Sequence, residues 1–180
     1  MPRMTRRRWL RLIALWLVLV IAAALLGARL YFGRDAEDQL RAGEQVDFAH
    51  LELPERDNVY LLCPAVPPLC NISPDAISPV FAIDPVRLRD RWLEMVAAEP
   101  RVRQVASDAG RRHLVFIQHS AFFRFPDVVT VEFLPVGQTR STLAVLSRSR
   151  YGHGDFGVNA ARVQAWLVKL RAVSDPRANP

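Results

Sequence analysis

The residue types best suited to chemistry crowd into one stretch, Ser147 to Asn159, which reads SRSRYGHGDFGVN. His153 and Asp155 stand two apart with Ser147 and Ser149 just upstream, which supplies the ingredients of a nucleophile, a base and an orienting acid. In that reading Arg150 and Arg162 orient an anionic group while Asp155 or His153 acts as general acid–base. The competing reading is structural. Asp155 is a short carboxylate within reach of Arg148, Arg150 or Arg162, and bidentate pairing would tie strand, loop and helix together. Gly152, Gly154 and Gly157 permit positive φ or close backbone approach around these side chains. A second segment, AFFRFPD (Ala121–Asp127), sets three phenylalanines around Arg124. It reads as a hydrophobic corner leading into a strand, or as an aromatic lip with Arg124 receiving an anion. The candidate binding residues are therefore Arg124, Arg150, Asp155, Asn159 and Arg162. His50, His113, His119 and His153 are scattered without HxH or HExxH spacing, so neither a metal site nor a cofactor is expected.

These residues must be positioned by the elements around them. Along Thr142–Tyr151, strand alternation puts Leu143, Val145, Ser147, Ser149 and Tyr151 on one face and Ala144, Leu146, Arg148 and Arg150 on the other. Asn159 is placed to cap a last helix in which Val163, Trp166, Leu167 and Leu170 share a face. Asp84-Pro85 opens an earlier helix, with Leu88, Trp92, Met95 and Val96 on one side and Pro100 beyond its end. Between the helices run a weak strand, Arg101–Ser107, and three stronger ones, Arg112–His119, Asp127–Leu134 and Ser141–Ser149. A PVGQTR turn joins the last two. The order predicts an α+β domain, an antiparallel meander of about three to five strands with two helices on one face.

The formal charge is +6, but its placement argues against a nucleic-acid partner. Residues 1–34 hold Arg3, Arg6, Arg7, Arg8, Arg11, Arg29 and Arg34 and no acid, which leaves 17 basic against 18 acidic residues in 35–180. Leu12 to Ala28 is an uncharged run of 17 residues, about 26 Å long as a helix, and Leu30, Tyr31 and Phe32 extend it toward the thickness of a bilayer core. Arginines before it and Asp35, Glu37 and Asp38 after it put the N-terminus in the cytoplasm and the domain outside. A cleaved signal peptide and a twin-arginine signal in Thr5–Arg11 are the competing readings; the length and apolarity of the run favour an uncleaved anchor. Cys63 and Cys70 then lie in an oxidising compartment, where a disulfide is expected over a metal site that lacks a neighbouring histidine. The plan is a basic cytoplasmic segment (1–11), a transmembrane anchor (12–32), a stalk (33–60), an α+β domain (61–173) and a tail (174–180). Pro64 to Pro79 is expected as ordered loop.

SRYGHGDFGVNAARV resembles the motif of a family of uncharacterised proteins, mostly bacterial with plant plastid relatives. Its pattern is Ser-Arg-x-Gly-x-x-Asp-x-Gly-Val-Asn-x-x-Arg, matched by Ser149, Arg150, Gly152, Asp155, Gly157, Val158, Asn159 and Arg162. The segments Cys63–Cys70 and Phe123–Asp127 are also similar to family patterns, and the resemblance covers roughly Leu61 to Ala172. This chain departs in carrying Asn71-Ile72-Ser73 after its second cysteine, where Val-Ser-Ser is usual, and Val128 where a second acid is common. The resemblance implies a domain of unknown function and no particular activity. With no phosphate loop or metal motif, the sequence points to a non-catalytic module at the bacterial inner membrane that binds an envelope protein or a small ligand. An envelope hydrolase or transferase using Asp155 or His153 is the alternative. A lipid- or cofactor-binding cup lined by Phe122, Phe123 and Phe125 is a third reading.

Overall fold

The computed structural model describes residues 6–40, 46–53, 58–65, 69–108, 110 and 112–174. Helix α1 spans Arg6–Leu40, and within it Arg6–Tyr31 is long and apolar enough to cross a membrane and is not buried by the rest of the chain. The expected first five residues and most of the C-terminal tail lie outside the described residues, as do 41–45 and 54–57 of the expected stalk.

The domain is a six-stranded sheet with two helices on one face. Its strands are β1 (Val59–Cys63), β2 (Ala76–Ile77), β3 (Val102–Ser107), β4 (His113–His119), β5 (Pro126–Val136) and β6 (Arg140–Ser149), and its helices are α2 (Pro85–Ala97) and α3 (Val158–Ser174). The strand order is β2-β1-β6-β5-β4-β3. From β3 to β6 it is the expected meander, and β5 and β6 close through a tight turn at Gly137, whose φ of 74° suits a residue without a Cβ.

The edge corrects the expectation of a small, purely antiparallel sheet. β1 pairs antiparallel to β6, and β2 pairs parallel to β1, so the sheet is larger and mixed. The apolar run of β1 falls at the end of the expected stalk, and its partner lies more than eighty residues away, Tyr60 opposite Ser147. Local periodicity does not register so distant a pairing. β2 is two residues long inside the proline-dense segment, too short to leave any alternation.

Helix α2 begins as its sequence dictates. Asp84 accepts hydrogen bonds from Val86 N and Arg87 N, both at 3.0 Å, and Pro85 occupies the first turn, where its missing N–H costs nothing. The backbone N–H of Arg87 is the main cause holding the Asp84 carboxyl below the usual carboxylate range. Leu88, Trp92, Met95 and Val96 are buried. Trp92 centres the core, edge-on to Trp166 at 5.7 Å and to Phe133 at 6.1 Å. Rings so enclosed stabilise by about 1.5–3 kcal/mol each relative to exposure.

The opposite face is covered differently. Where the sequence suggests a stalk, Phe48 and Leu51 are buried against Leu61, Cys63, Leu134, Ala144 and Leu146. The side chain of Asn71 accepts from Leu51 N at 2.8 Å and donates to Leu51 O at 3.1 Å. It thus serves Leu51 as a neighbouring strand would. Asp75 Oδ2 accepts from Leu61 N at 2.7 Å. Cys63 and Cys70 form a disulfide, with Cα atoms 6.5 Å apart, which closes the crossover between β1 and β2.

Candidate functional site

The sheet register gathers polar side chains into a row beneath the first turn of α3. Gln118 pairs with Asp127, and Asp127 with Ser149; Ser149 N in turn donates to Asn58 O. On β5 the face toward the helices carries Asp127, then Val129, Val131 and Phe133, and only the last three join the apolar core. On β6 the same face carries Leu143 and Val145, then Ser147 and Ser149, so the predicted alternation holds. One end of the helix-facing surface is therefore polar on neighbouring strands at once.

Arg162 drops from α3 into this row. Its Nη2 donates to Asp127 Oδ2, its Nη1 to Ser147 Oγ at 2.8 Å and Asn159 Oδ1 at 2.5 Å, and its Nε to Gln118 Oε1 at 2.5 Å. Arg162 and Asp127 each keep only 8% exposure, so the ion pair is made largely out of water. Burying a guanidinium and a carboxylate is tolerable only when both are paired and hydrogen-bonded.

Asn159 completes the network and corrects one expectation. It lies inside the first turn of α3 and does not cap it. Its Oδ1 accepts from Ser147 Oγ at 2.7 Å, and its Nδ2 donates to Asn58 O at 2.9 Å and Ser149 Oγ at 3.2 Å. The cap is Asp155, whose Oδ1 accepts from Gly157 N at 2.9 Å and whose Oδ2 accepts from Asn159 N at 2.7 Å. A carboxylate there satisfies donors that the helix itself leaves open and faces the positive end of its dipole. The partner of Arg162 is Asp127, so one arginine–carboxylate lock ties β5 to α3. Asp127 is the partner that spacing within the 147–159 stretch does not reveal, because it lies 35 residues from Arg162 in the chain.

The remaining candidates are placed as follows. His153 is exposed, while both serine hydroxyls bond Asn159, so serine, histidine and acid are not assembled as a nucleophilic set. Arg150 follows β6 and donates its backbone N–H to Pro126 O at 3.3 Å; its side chain and that of Arg148 are engaged within the chain. Arg124 is in a left-handed conformation (φ 58°) on the loop before β5. Among the described residues there is no cluster of three or more histidine, cysteine or acidic groups suited to a metal ion. Asp127, Gln118 and Asn58 join the site without having been singled out by sequence, and Ser147, singled out as a nucleophile, joins it as a hydrogen-bond partner of Asn159 and Arg162. Their signal was the polar residue ending each strand's apolar alternation at one edge.

A second acid on β5 faces the other side of the sheet. Glu132 Oε2 lies 3.5 Å from His113 Nε2, and the His113 ring stacks on Phe48 at 5.9 Å. Burial pushes the Glu132 carboxyl above its usual range; His113 and Arg112 oppose this, while Asp47 and Asp108 add to it.

Residues 61–170 match the family model described as "Protein of unknown function (DUF1499)", a span that takes in most of the sheet, α2, most of α3 and the network under it apart from Asn58. No curated protein matches the chain. The match covers more than half of the chain, which therefore belongs to the DUF1499 family.

Proposed function

We propose that this DUF1499 member is a single-pass, membrane-anchored module whose domain lies outside the cytoplasm and binds a partner protein or small ligand of the envelope without catalysing a reaction. The observation that carries this reading is that the polar residues of the motif are consumed internally. Arg162 is directed to Asp127, Gln118, Ser147 and Asn159, and Asp155 binds the start of α3. An incoming anion would have to displace a buried carboxylate to reach Arg162. The apolar helix, the charge asymmetry around it and the Cys63–Cys70 disulfide support the placement.

Two measurements test it. A phosphatase reporter fused after Pro180 is expected to be active, and the same reporter fused at the N-terminus inactive; the reverse pattern overturns the topology. Site-specific photo-crosslinkers on the exposed surface of the full-length chain in cells are expected to trap the same partner from adjoining positions. Arg162→Lys, which keeps the charge but not the planar fork, then separates the readings. Partner capture should persist in proportion to folded protein, whereas an enzyme using Arg162 would lose turnover in a variant that is still folded.

A further inference from the structure

The loop between β4 and β5 presents aromatic rings to the outside. Phe122 packs edge-on against Phe123 at 4.9 Å, Phe123 stacks on Phe125 at 5.4 Å, and Phe125 meets Tyr151 of the next loop at 6.3 Å. The chain of rings ends in the open, with Phe122 67% and Phe123 37% exposed. On the loop that carries Tyr151, Phe156 is fully exposed while held at φ 54°, a backbone region that non-glycine residues rarely enter. The β4–β5 loop is closed by reciprocal bonds, Ser120 N to Phe125 O and Phe125 N to Ser120 Oγ, both 2.9 Å. The rings are therefore held outward by a defined turn. Exposed aromatic area of this kind disfavours contact with water by about 25 cal/mol per Å² and marks an interaction surface.

What faces this surface is indicated by α1. Arg29 stands at the C-terminal end of the apolar Arg6–Tyr31 stretch, where a charged residue leaves the hydrocarbon for the headgroup layer. Its Nη1 donates to Phe122 O at 2.5 Å and to Ala121 O at 3.4 Å. The aromatic loop is thus bound to α1 at the height where the helix would emerge from a bilayer, with Tyr31 exposed two residues further along the helix. Aromatic rings at that depth, flanked by arginines such as Arg29 and Arg124, match the chemistry of the phospholipid interface.

We propose that Phe122 and Phe123 are seated in the domain-side leaflet of the membrane that α1 crosses, so that the β4–β5 loop is a second, shallow membrane contact that sets the domain's tilt. This rests on the anchoring reading above, and the test separates the two. Single-cysteine variants Trp16→Cys, Phe122→Cys and Val168→Cys of the full-length chain are labelled with a polarity-sensitive fluorophore; Cys63 and Cys70 are held in their disulfide. The labelled proteins are placed in nanodiscs of phosphatidylethanolamine and phosphatidylglycerol, with and without nitroxide on the acyl chains. Quenching by about twofold or more is expected at positions 16 and 122 and none at 168, on the outward side of α3. Quenching at 16 without quenching at 122 overturns the proposal and leaves the anchor standing. No quenching at 16 overturns both, and quenching at 168 as well overturns a defined seat in favour of unspecific adsorption. Phe123→Cys, melting like the unmodified chain, repeats the reading should Phe122→Cys fold poorly.

Discussion

Strand β5 carries two acids, one on each face of the sheet, and they live under opposite rules. Asp127 faces α3, is 8% exposed and meets a guanidinium that is itself bonded on all sides. Glu132 faces away from the helices, stands 3.5 Å from a histidine and shares its surroundings with Asp47 and Asp108. The helix-covered face is closed by α2 and α3, and its polar end is satisfied as a unit. The other face is closed by short segments pinned one at a time, by Asn71, Asp75 and a disulfide. Five residues along one strand separate a structural ion pair from an acid that is destabilised when charged.

The sharpest way to break this contrast is to remove Arg162. Arg162→Ala leaves Asp127 buried without its counter-charge, which costs about 3–5 kcal/mol, and the midpoint of thermal unfolding should fall by about 6–20 °C. The double variant Arg162→Met with Asp127→Leu should recover much of that loss, because an apolar pair leaves no charge to desolvate. Both are read by near-ultraviolet circular dichroism of the full-length chain in detergent. A double variant as unstable as the single one would mean that Asn159 and Ser147, not the ion pair, hold the site.

On the other face the largest effect should come from the disulfide. Cys63→Ala with Cys70→Ala is expected to lose about 2–3 kcal/mol through the freed unfolded chain, with the loss disappearing when both proteins are compared under reducing conditions. Asp155→Ala removes the cap that places Arg162's helix and should cost about 1 kcal/mol, a few degrees in the same melt. A loss as large as that of Arg162→Ala would show that the cap, and not the ion pair, orders the row.

The smallest effect is expected at Glu132, and its sign is opposite. Burial raises its folded-state pKa, so the native chain holds that proton more tightly than the unfolded one. The stabilisation is fully present below the pKa of the unfolded carboxyl and is lost as pH rises through the folded value. Glu132→Gln removes the dependence, so the variant should gain about 1–2 °C over the wild type near neutral pH and nothing at acid pH. Melting curves across that range check it; a variant less stable than wild type at neutral pH would mean that the His113 contact outweighs the burial.

Much of the helix-covered half can be read from local pattern. The Asp84-Pro85 start, the Leu88–Trp92–Met95–Val96 stripe, the alternation along β6 and the turn at Gly137 are each dictated by residues within about one helical turn or one strand of each other. The motif residues were legible as a group, but their partners were not. Asp155 also binds the backbone N–H groups of Gly157 and Asn159 at the start of α3, which no side-chain pattern displays. Gln118 and Asp127 meet Arg162, and Asn58 meets Asn159, only because β1, β4, β5 and β6 lie side by side.

By itself the sequence determined the apolar helix, the asymmetry of charge around it, both domain helices and the central meander, because each depends on periodicity and composition within a short span of chain. Tertiary structure alone decided that Val59–Cys63 joins the sheet beside β6, that Phe48 and Leu51 cover its outer face, that Asp127 pairs with Arg162, and that Phe122 meets α1 at Arg29. The physical reason is common to all four. A pairing between residues tens of positions apart is selected by which buried groups find complete partners once the sheet has closed, and that competition takes place in space, not along the chain.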